Sequence, residues 1–299
     1  MRNVADGQLL VVGAGTMGAQ IGLQAAKSGI PVELVDISPD ALDRGRAEVS
    51  AILDRDVERG RATQAEADET AARLHFSDSI ESAAPACDWA IEAVVERADI
   101  KKSVFDQLAS LLPEHAGIAT NSSHIRAATI VGDASYKDRA LNMHFFHPVV
   151  RMDLVEVVAS PDTRPDILQA GVAWAERMRR KPVVLHKDVD GFVVNRILGQ
   201  ASREAFSLLS DGVASFEQID IAVKNGLGWP LGPFMLADFS GLDVVLQTRT
   251  NRFELHGEEG DRKTIGVLTP LVSSGRLGRK SGRGFYDYSV EPPTPLPLS

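Results

Sequence analysis

The sequence predicts an α/β amino-terminal domain followed by a mostly helical carboxy-terminal one. Three observations carry that prediction. Short apolar runs alternate with helix-period segments from residue 9 to about residue 185. The first run passes directly into a glycine-rich turn and then a helical pattern. Beyond residue 193 strand patterns fade, and helical segments succeed one another to residue 274.

Residues 9–12, Leu-Leu-Val-Val, read as a fully buried strand, and residues 15–27 as a helix that Gly29 stops. Residues 31–36 read as the next strand, so the chain opens with a β-α-β unit. Such a unit requires a right-handed crossover and usually a parallel sheet. Ser38 is an N-cap ahead of Pro39, opening a helix to about residue 60. Thr63 and Glu66 have capping-box spacing, which predicts a second helix through Leu74. A strand is expected at 88–94, then a helix at 98–112 that stops before Pro113. Further strands are expected at 117–120, 141–145, 154–158 and 182–185, with a helix near 167–179. Helices follow at 193–209, after Ser215, at about 234–254 and at 264–274. The change of pattern at Asp188-Val189-Asp190-Gly191 places a domain boundary there, giving domains 1–187 and 188–299. The proline-rich stretch 291–299 reads as a loose tail.

Composition narrows the partners. The 299 residues are 44% hydrophobic and 24% charged, ordinary for a globular protein, with a net charge of −9. That balance argues against a nucleic acid or an anionic membrane as partner. Cys87 is the single cysteine, so no internal disulfide can form, consistent with a cytoplasmic location. No signal-peptide pattern is seen at the start. Residues 8–26 carry no charge and approach the length of a membrane span. Gly13, Gly15, Gly18 and Gly22, with Gln20 and Gln24, make a strand–turn–helix the better reading.

Gly13-Ala14-Gly15-Thr16-Met17-Gly18 is a GxGxxG run between a buried strand and a helix. Gly13 permits the tight turn, Gly15 lets backbone approach a pyrophosphate, and Gly18 lets the helix pack close to the sheet. The helix start offers free N–H groups and partial positive charge to phosphates. Asp36 ends the second strand, where a carboxylate accepts hydrogen bonds from ribose hydroxyls and repels a 2′-phosphate. Ile37 and Ser38 supply no arginine to offset that repulsion. The pattern is a Rossmann-type dinucleotide-binding domain that takes NAD rather than NADP.

His144 and His147 lie in Asn142-Met143-His144-Phe145-Phe146-His147-Pro148, where a strand leaves the sheet. In open α/β folds that edge holds the ligand crevice. Glu156 follows inside Leu154-Val155-Glu156-Val157-Val158, and a carboxylate flanked by aliphatics is costly unless paired. Two readings stand. Glu156 orients His144 as a proton-transfer pair, or Glu156 bonds a cation such as Arg151 and His144 is a core residue. Ser122, in Thr120-Asn121-Ser122-Ser123, holds a substrate oxygen or caps the next helix. Asn195, opening the helix after Gly191-Phe192-Val193-Val194, is a binding amide or a packing one. The histidines lack metal-ligand spacing. Arg276, Arg279, Lys280 and Arg283 sit among glycines without spelling a P-loop, and read as a structural turn.

Taken together, these segments resemble the 3-hydroxyacyl-CoA dehydrogenase family, and within it the 3-hydroxybutyryl-CoA branch. The likeness covers the 13–18 loop, Glu92-Ala93-Val94-Val95-Glu96 with Lys101, 120–123, 144–148, 154–158 and 191–196. It continues through 227–234, 275–280 and 284–288. The resemblance implies NAD-dependent oxidation of an (S)-3-hydroxyacyl-CoA to the 3-oxoacyl-CoA, run in either direction. His144 is implied as general base and Glu156 as its orienting partner, with Ser122 and Asn195 on the substrate oxygen. Gly13, Gly15, Thr16, Met17, Gly18, Asp36, Ala93, Glu96, Lys101, Ser122 and His147 are implied along the cofactor. A homodimer is implied, with the helical domain closing the cleft and supplying most of the interface.

Three departures from the family pattern stand out. His147 replaces the usual asparagine, and His124 follows Ser123 where an aliphatic residue is usual. The helix expected to meet CoA phosphates carries Arg55, Arg59 and Arg61 diluted by Asp54, Asp56 and Glu58. That dilution keeps open a dehydrogenase of a free 3-hydroxy acid. A non-catalytic NAD- or CoA-binding protein on the same fold is a further alternative, against which the joint presence of His144, Glu156, Ser122 and Asn195 argues.

Overall fold

The computed structural model describes residues 7–298. The chain divides between Phe192 and Val193 into two compact units.

In the first unit, β1 (Leu9–Val12), α1 (Thr16–Lys27) and β2 (Val32–Val35) form the opening β-α-β unit. Ser38 accepts the Ala41 N–H and starts α2 (Pro39–Glu58). Thr63 and Glu66 close a reciprocal capping box at the start of α3 (Gln64–Ala72). That helix stops short of Leu74, which was expected inside it. Leu74–Ser77 is instead β3, paired in parallel with β2. Its Leu-His-Phe-Ser run buries Leu74 against the core while His75 faces water, a strand alternation too short to stand out after a helix.

A short α4 (Ile80–Ala83) leads to β4 (Trp89–Glu92), α5 (Ala98–Leu111), β5 (Gly117–Thr120) and α6 (Ala127–Val131). Then come β6 (Ala140–Phe145), β7 (Leu154–Ala159), α7 (Pro165–Arg177) and β8 (Lys181–Leu185). The eight strands lie in the order β3-β2-β1-β4-β5-β6-β7-β8. Pairing is parallel throughout except between β6 and β7, which run antiparallel. Residues 146–153 joining them are too few for the crossover of about a dozen residues that a parallel return needs. The strand order reverses between β1 and β4, so their carboxy-terminal ends form the switch-point crevice. Apolar clusters cover both faces, one from α1, α2 and α7, the other from α5 and α6.

In the second unit, α8 (Val194–Ser210) and α9 (Phe216–Leu227) are followed by α10 (Pro233–Ser240) and α11 (Leu242–His256). The single helix expected over 234–254 is broken at Gly241, whose φ of +95° no helix tolerates. The last helix, α12 (Glu259–Ser273), begins ahead of the expected 264. Phe206, Phe216, Phe234 and Phe285 build an aromatic core. The tail is paired rather than loose: β9 (Tyr286–Asp287) and β10 (Thr294–Pro295) form a two-stranded ribbon. Arg276 donates to the carbonyls of Gly284 and Pro297, holding that ribbon in place. Among the described residues no helix is long and apolar enough to cross a membrane.

Candidate functional site

The glycine loop is built by close approaches that only glycine allows. Gly13 has φ of +108°, and a Cβ there would lie 2.6 Å from the carbonyl oxygen of Ala93. A Cβ at Gly18 would lie 1.7 Å from the carbonyl oxygen of Gly13, so the first turn of α1 presses on the loop. At Gly15 a Cβ would meet nothing within 4 Å, so the protein leaves that side of the loop open. Thr16 and Met17 form the start of α1, which has no side-chain cap and no acid in its first turn. Its free N–H groups and dipole are left for an anion. Asp36 folds over the same turn: one oxygen accepts the Ala14 N–H at 2.8 Å, the other the Ser38 N–H at 2.9 Å. Each oxygen retains a lone pair for a ribose hydroxyl. These features fit a dinucleotide: open space over Gly15, an uncapped helix start and a strand-end acid.

The ends of β4 and β5 carry a polar cluster beside that loop. Glu92 is fully buried, and so is the Lys101 side chain that reaches it from α5, Nζ to Oε1 2.7 Å. Lys101 also lies 3.1 Å from Glu96, whose other oxygen takes the Ser122 hydroxyl. Burial would push the Glu96 carboxyl up, but the Ser122 hydrogen bond and the Lys101 charge outweigh it and hold it below its ordinary value. The Ser122 Oγ also accepts the N–H groups of His124 and Ile125. Ser122 therefore shapes its own turn rather than capping α6, whose cap position is Arg126.

His144 and Glu156 face each other directly across the antiparallel β6–β7 pair. Nδ1 lies 2.8 Å from Glu156 Oε2, with His144 6% exposed and Glu156 0%. The rings of Phe146 and Phe192 flank the imidazole, at 4.4 and 5.7 Å between centroids. Because β6 runs parallel to β5, His144 emerges on the same sheet edge as the glycine loop. Asn121 accepts the Phe145 N–H at 2.9 Å, and Asn142 accepts the Ala127 N–H at 2.8 Å, so the Ser122 turn is pinned to the strand bearing His144. His147 and His124 are both exposed. Asn195 falls in the first turn of α8, in the second unit. On α2, Arg55 folds back onto the Ala51 carbonyl and Arg61 lies near Asp56.

Sequence reasoning assigned no role to Glu92, Asn121 or Asn142. For Glu92 the signal was there: a carboxylate inside Trp-Ala-Ile-Glu-Ala-Val-Val carries the same burial cost that singled out Glu156.

The doubly wound sheet, its glycine loop and the acid at the end of β2 define a dinucleotide-binding protein. Residues 8–189 match the model of the 3-hydroxyacyl-CoA dehydrogenase NAD-binding domain, and residues 191–288 that of the C-terminal domain of 3-hydroxyacyl-CoA dehydrogenase. The chain belongs to the 3-hydroxyacyl-CoA dehydrogenase family, NAD-dependent oxidoreductases acting on CH–OH groups. It is 38% identical to the probable 3-hydroxybutyryl-CoA dehydrogenase of Bacillus subtilis, over 94% of this chain and 97% of that one. It is 34% identical to the 3-hydroxybutyryl-CoA dehydrogenase of Bradyrhizobium diazoefficiens, over 95% and 96%. The crystal structure of (S)-3-hydroxybutyryl-CoA dehydrogenase from Ralstonia eutropha superimposes with a TM-score of 0.85 at 37% identity, covering 95% of this chain and 99% of that one.

Proposed function

We propose that the protein interconverts a short-chain (S)-3-hydroxyacyl-CoA and its 3-oxoacyl-CoA, with His144 as the proton-transfer residue. The observation that carries this reading is the buried His144–Glu156 pair on the sheet edge that also bears the glycine loop. Bound NAD would supply the acceptor for the hydride that leaves C3 of the substrate. With Nδ1 engaged by Glu156, Nε2 is the nitrogen that takes the 3-hydroxyl proton. Glu156 holds the ring's tautomer and stabilises the imidazolium that forms. In the reverse direction the imidazolium returns the proton to the 3-oxo oxygen. Ser122 and Asn195 are assigned to that oxygen from the family resemblance; the Ser122 hydroxyl, which donates to Glu96, would turn to the substrate to counter its developing charge. Gly13, Gly15, Thr16, Met17, Gly18, Asp36, Ala93, Glu96, Ser122 and His147 line the cofactor site, with Lys101, also implied along the cofactor, buried behind Glu96. The reading makes the first unit the cofactor-binding domain and the second the substrate and dimerisation domain of a cytoplasmic homodimer.

One observation favours a second reading. Arg55 and Arg61 are engaged within α2 and its following turn, which weakens the case for a CoA phosphate site there and favours a free 3-hydroxy acid. NADH absorbance with acetoacetyl-CoA, free acetoacetate and the His144→Ala variant decides. Turnover of the thioester alone, lost in the variant, is the expected result. Turnover of the free acid promotes the second reading. NADH binding with no turnover of either overturns both readings and leaves a longer acyl chain as substrate, or a binding role.

A further inference from the structure

We propose that Glu92 is a positioning residue for the cofactor, acting through Lys101 on Glu96 and Ser122. This rests on the reading above, in which Glu96 and Ser122 line the cofactor site.

Glu92 is the last residue of β4, beside Val12 of β1 and Thr120 of β5 in the sheet register. Val12 leads directly into the glycine loop, and Thr120 leads into the Ser122 turn. The backbone around Glu92 joins them: the Asn121 N–H donates to its carbonyl at 2.8 Å, and the next residue, Ala93, donates to the Val12 carbonyl at 2.7 Å. Both oxygens of its carboxylate are engaged. Oε1 accepts the Val94 N–H at 2.7 Å and the Lys101 ammonium; Oε2 accepts the Thr120 hydroxyl at 2.8 Å. The Thr120 oxygen in turn accepts the Ser122 N–H at 3.1 Å.

A buried ion pair adds little stability over an apolar pair of the same volume, because desolvation offsets the attraction. What it supplies here is geometry. The carboxylate fixes the first residues after β4 and the turn after β5 through separate hydrogen bonds. The ammonium it anchors fixes Glu96, whose other oxygen receives the Ser122 hydroxyl. Lys101 is itself 1% exposed, so it orders the groove wall from behind. Without Glu92, the Lys101 charge keeps Glu96 as its carboxylate partner and draws it away from Ser122.

The test is fluorescence titration of NADH with wild-type protein, Glu92→Gln, Lys101→Met and the double variant, alongside steady-state kinetics and thermal melts. Loss of one charged hydrogen-bonding link predicts a Kd for NADH raised about tenfold in Glu92→Gln. KM for NADH rises in parallel, while kcat at saturating cofactor falls much less. Glutamine keeps an oxygen for the Val94 N–H and a polar group for the Thr120 hydroxyl, so Glu92→Gln removes only the charge that Lys101 meets, and the double variant binds no worse than Lys101→Met alone. A merely structural role lowers the melting temperature and leaves the Kd of the folded protein unchanged. Should Glu92→Gln not fold, Glu92→Asp keeps the charge but retracts it, and a raised Kd with intact folding is the expected result. A wild-type Kd in whichever of these variants folds overturns the proposal, as do effects of Glu92→Gln and Lys101→Met that simply multiply. A wild-type protein that does not bind NADH overturns the underlying reading instead, and this inference with it.

Discussion

Replacing Glu156 by glutamine keeps the side chain's length and volume and removes its charge. In the wild type its oxygen is 2.8 Å from His144 Nδ1, with both groups out of water. Opposite unit charges with centres about 4 Å apart attract by about 4 kcal/mol at an effective dielectric of about 20. That attraction is realised when the imidazole takes the substrate proton, so it lowers the barrier more than it stabilises the ground state. Its loss corresponds to a fall in kcat of about 10³-fold. The glutamine amide adds to the effect when it donates to Nδ1, since the ring then carries its proton on Nε2, where the substrate proton must go. The assay is NADH absorbance in both directions with acetoacetyl-CoA and 3-hydroxybutyryl-CoA, with NADH titration as control. The expected result is a kcat reduced by about two to three orders of magnitude, with the NADH Kd unchanged. A Glu156→Gln enzyme within about tenfold of wild-type kcat would show that the pair serves packing, and would refute the proton-transfer role.

Two glycine substitutions should separate folding from binding. Gly18→Ala puts a Cβ 1.7 Å from the Gly13 carbonyl oxygen and should lower both the melting temperature and NADH affinity. Gly15→Ala meets no protein atom within 4 Å and should melt like wild type while losing NADH affinity, read by melts and fluorescence titration. Asp36→Ala should weaken NADH binding by about tenfold and narrow the preference over NADPH, as charged hydrogen bonds to the ribose are lost. In the second unit, burial raises the Asp238 carboxyl to about 6 even though two backbone N–H groups and the Tyr288 hydroxyl donate to it. A raised carboxyl stabilises the fold at low pH and loses that contribution as pH climbs through the folded value. Denaturant titrations should therefore show wild type minus Asp238→Asn stability about 2–3 kcal/mol greater at pH 4 than at pH 7. A pH-independent difference would contradict the assignment.

What the sequence alone determined is local in the chain. The glycine loop spans six consecutive residues whose spacing answers one turn of backbone, so its role was readable without a partner. The caps at Ser38 and Thr63 were legible for the same reason: donor and acceptor lie within one helical turn. Element types were readable wherever an apolar period persisted. They failed where it was brief, as in β3, or where one residue interrupted a long period, as Gly241 does between α10 and α11. Tertiary structure decided which distant residues meet. His144 and Glu156 were both singled out, yet only the antiparallel register of β6 and β7 sets them opposite each other, and a shift of one residue would turn Glu156 to the other face. Glu92, Lys101 and Ser122 come from a strand, a helix and a turn, so neither period nor spacing linked them. Folding joins them because charges taken out of water must find partners, and those partners are fixed by the order in which strands pair.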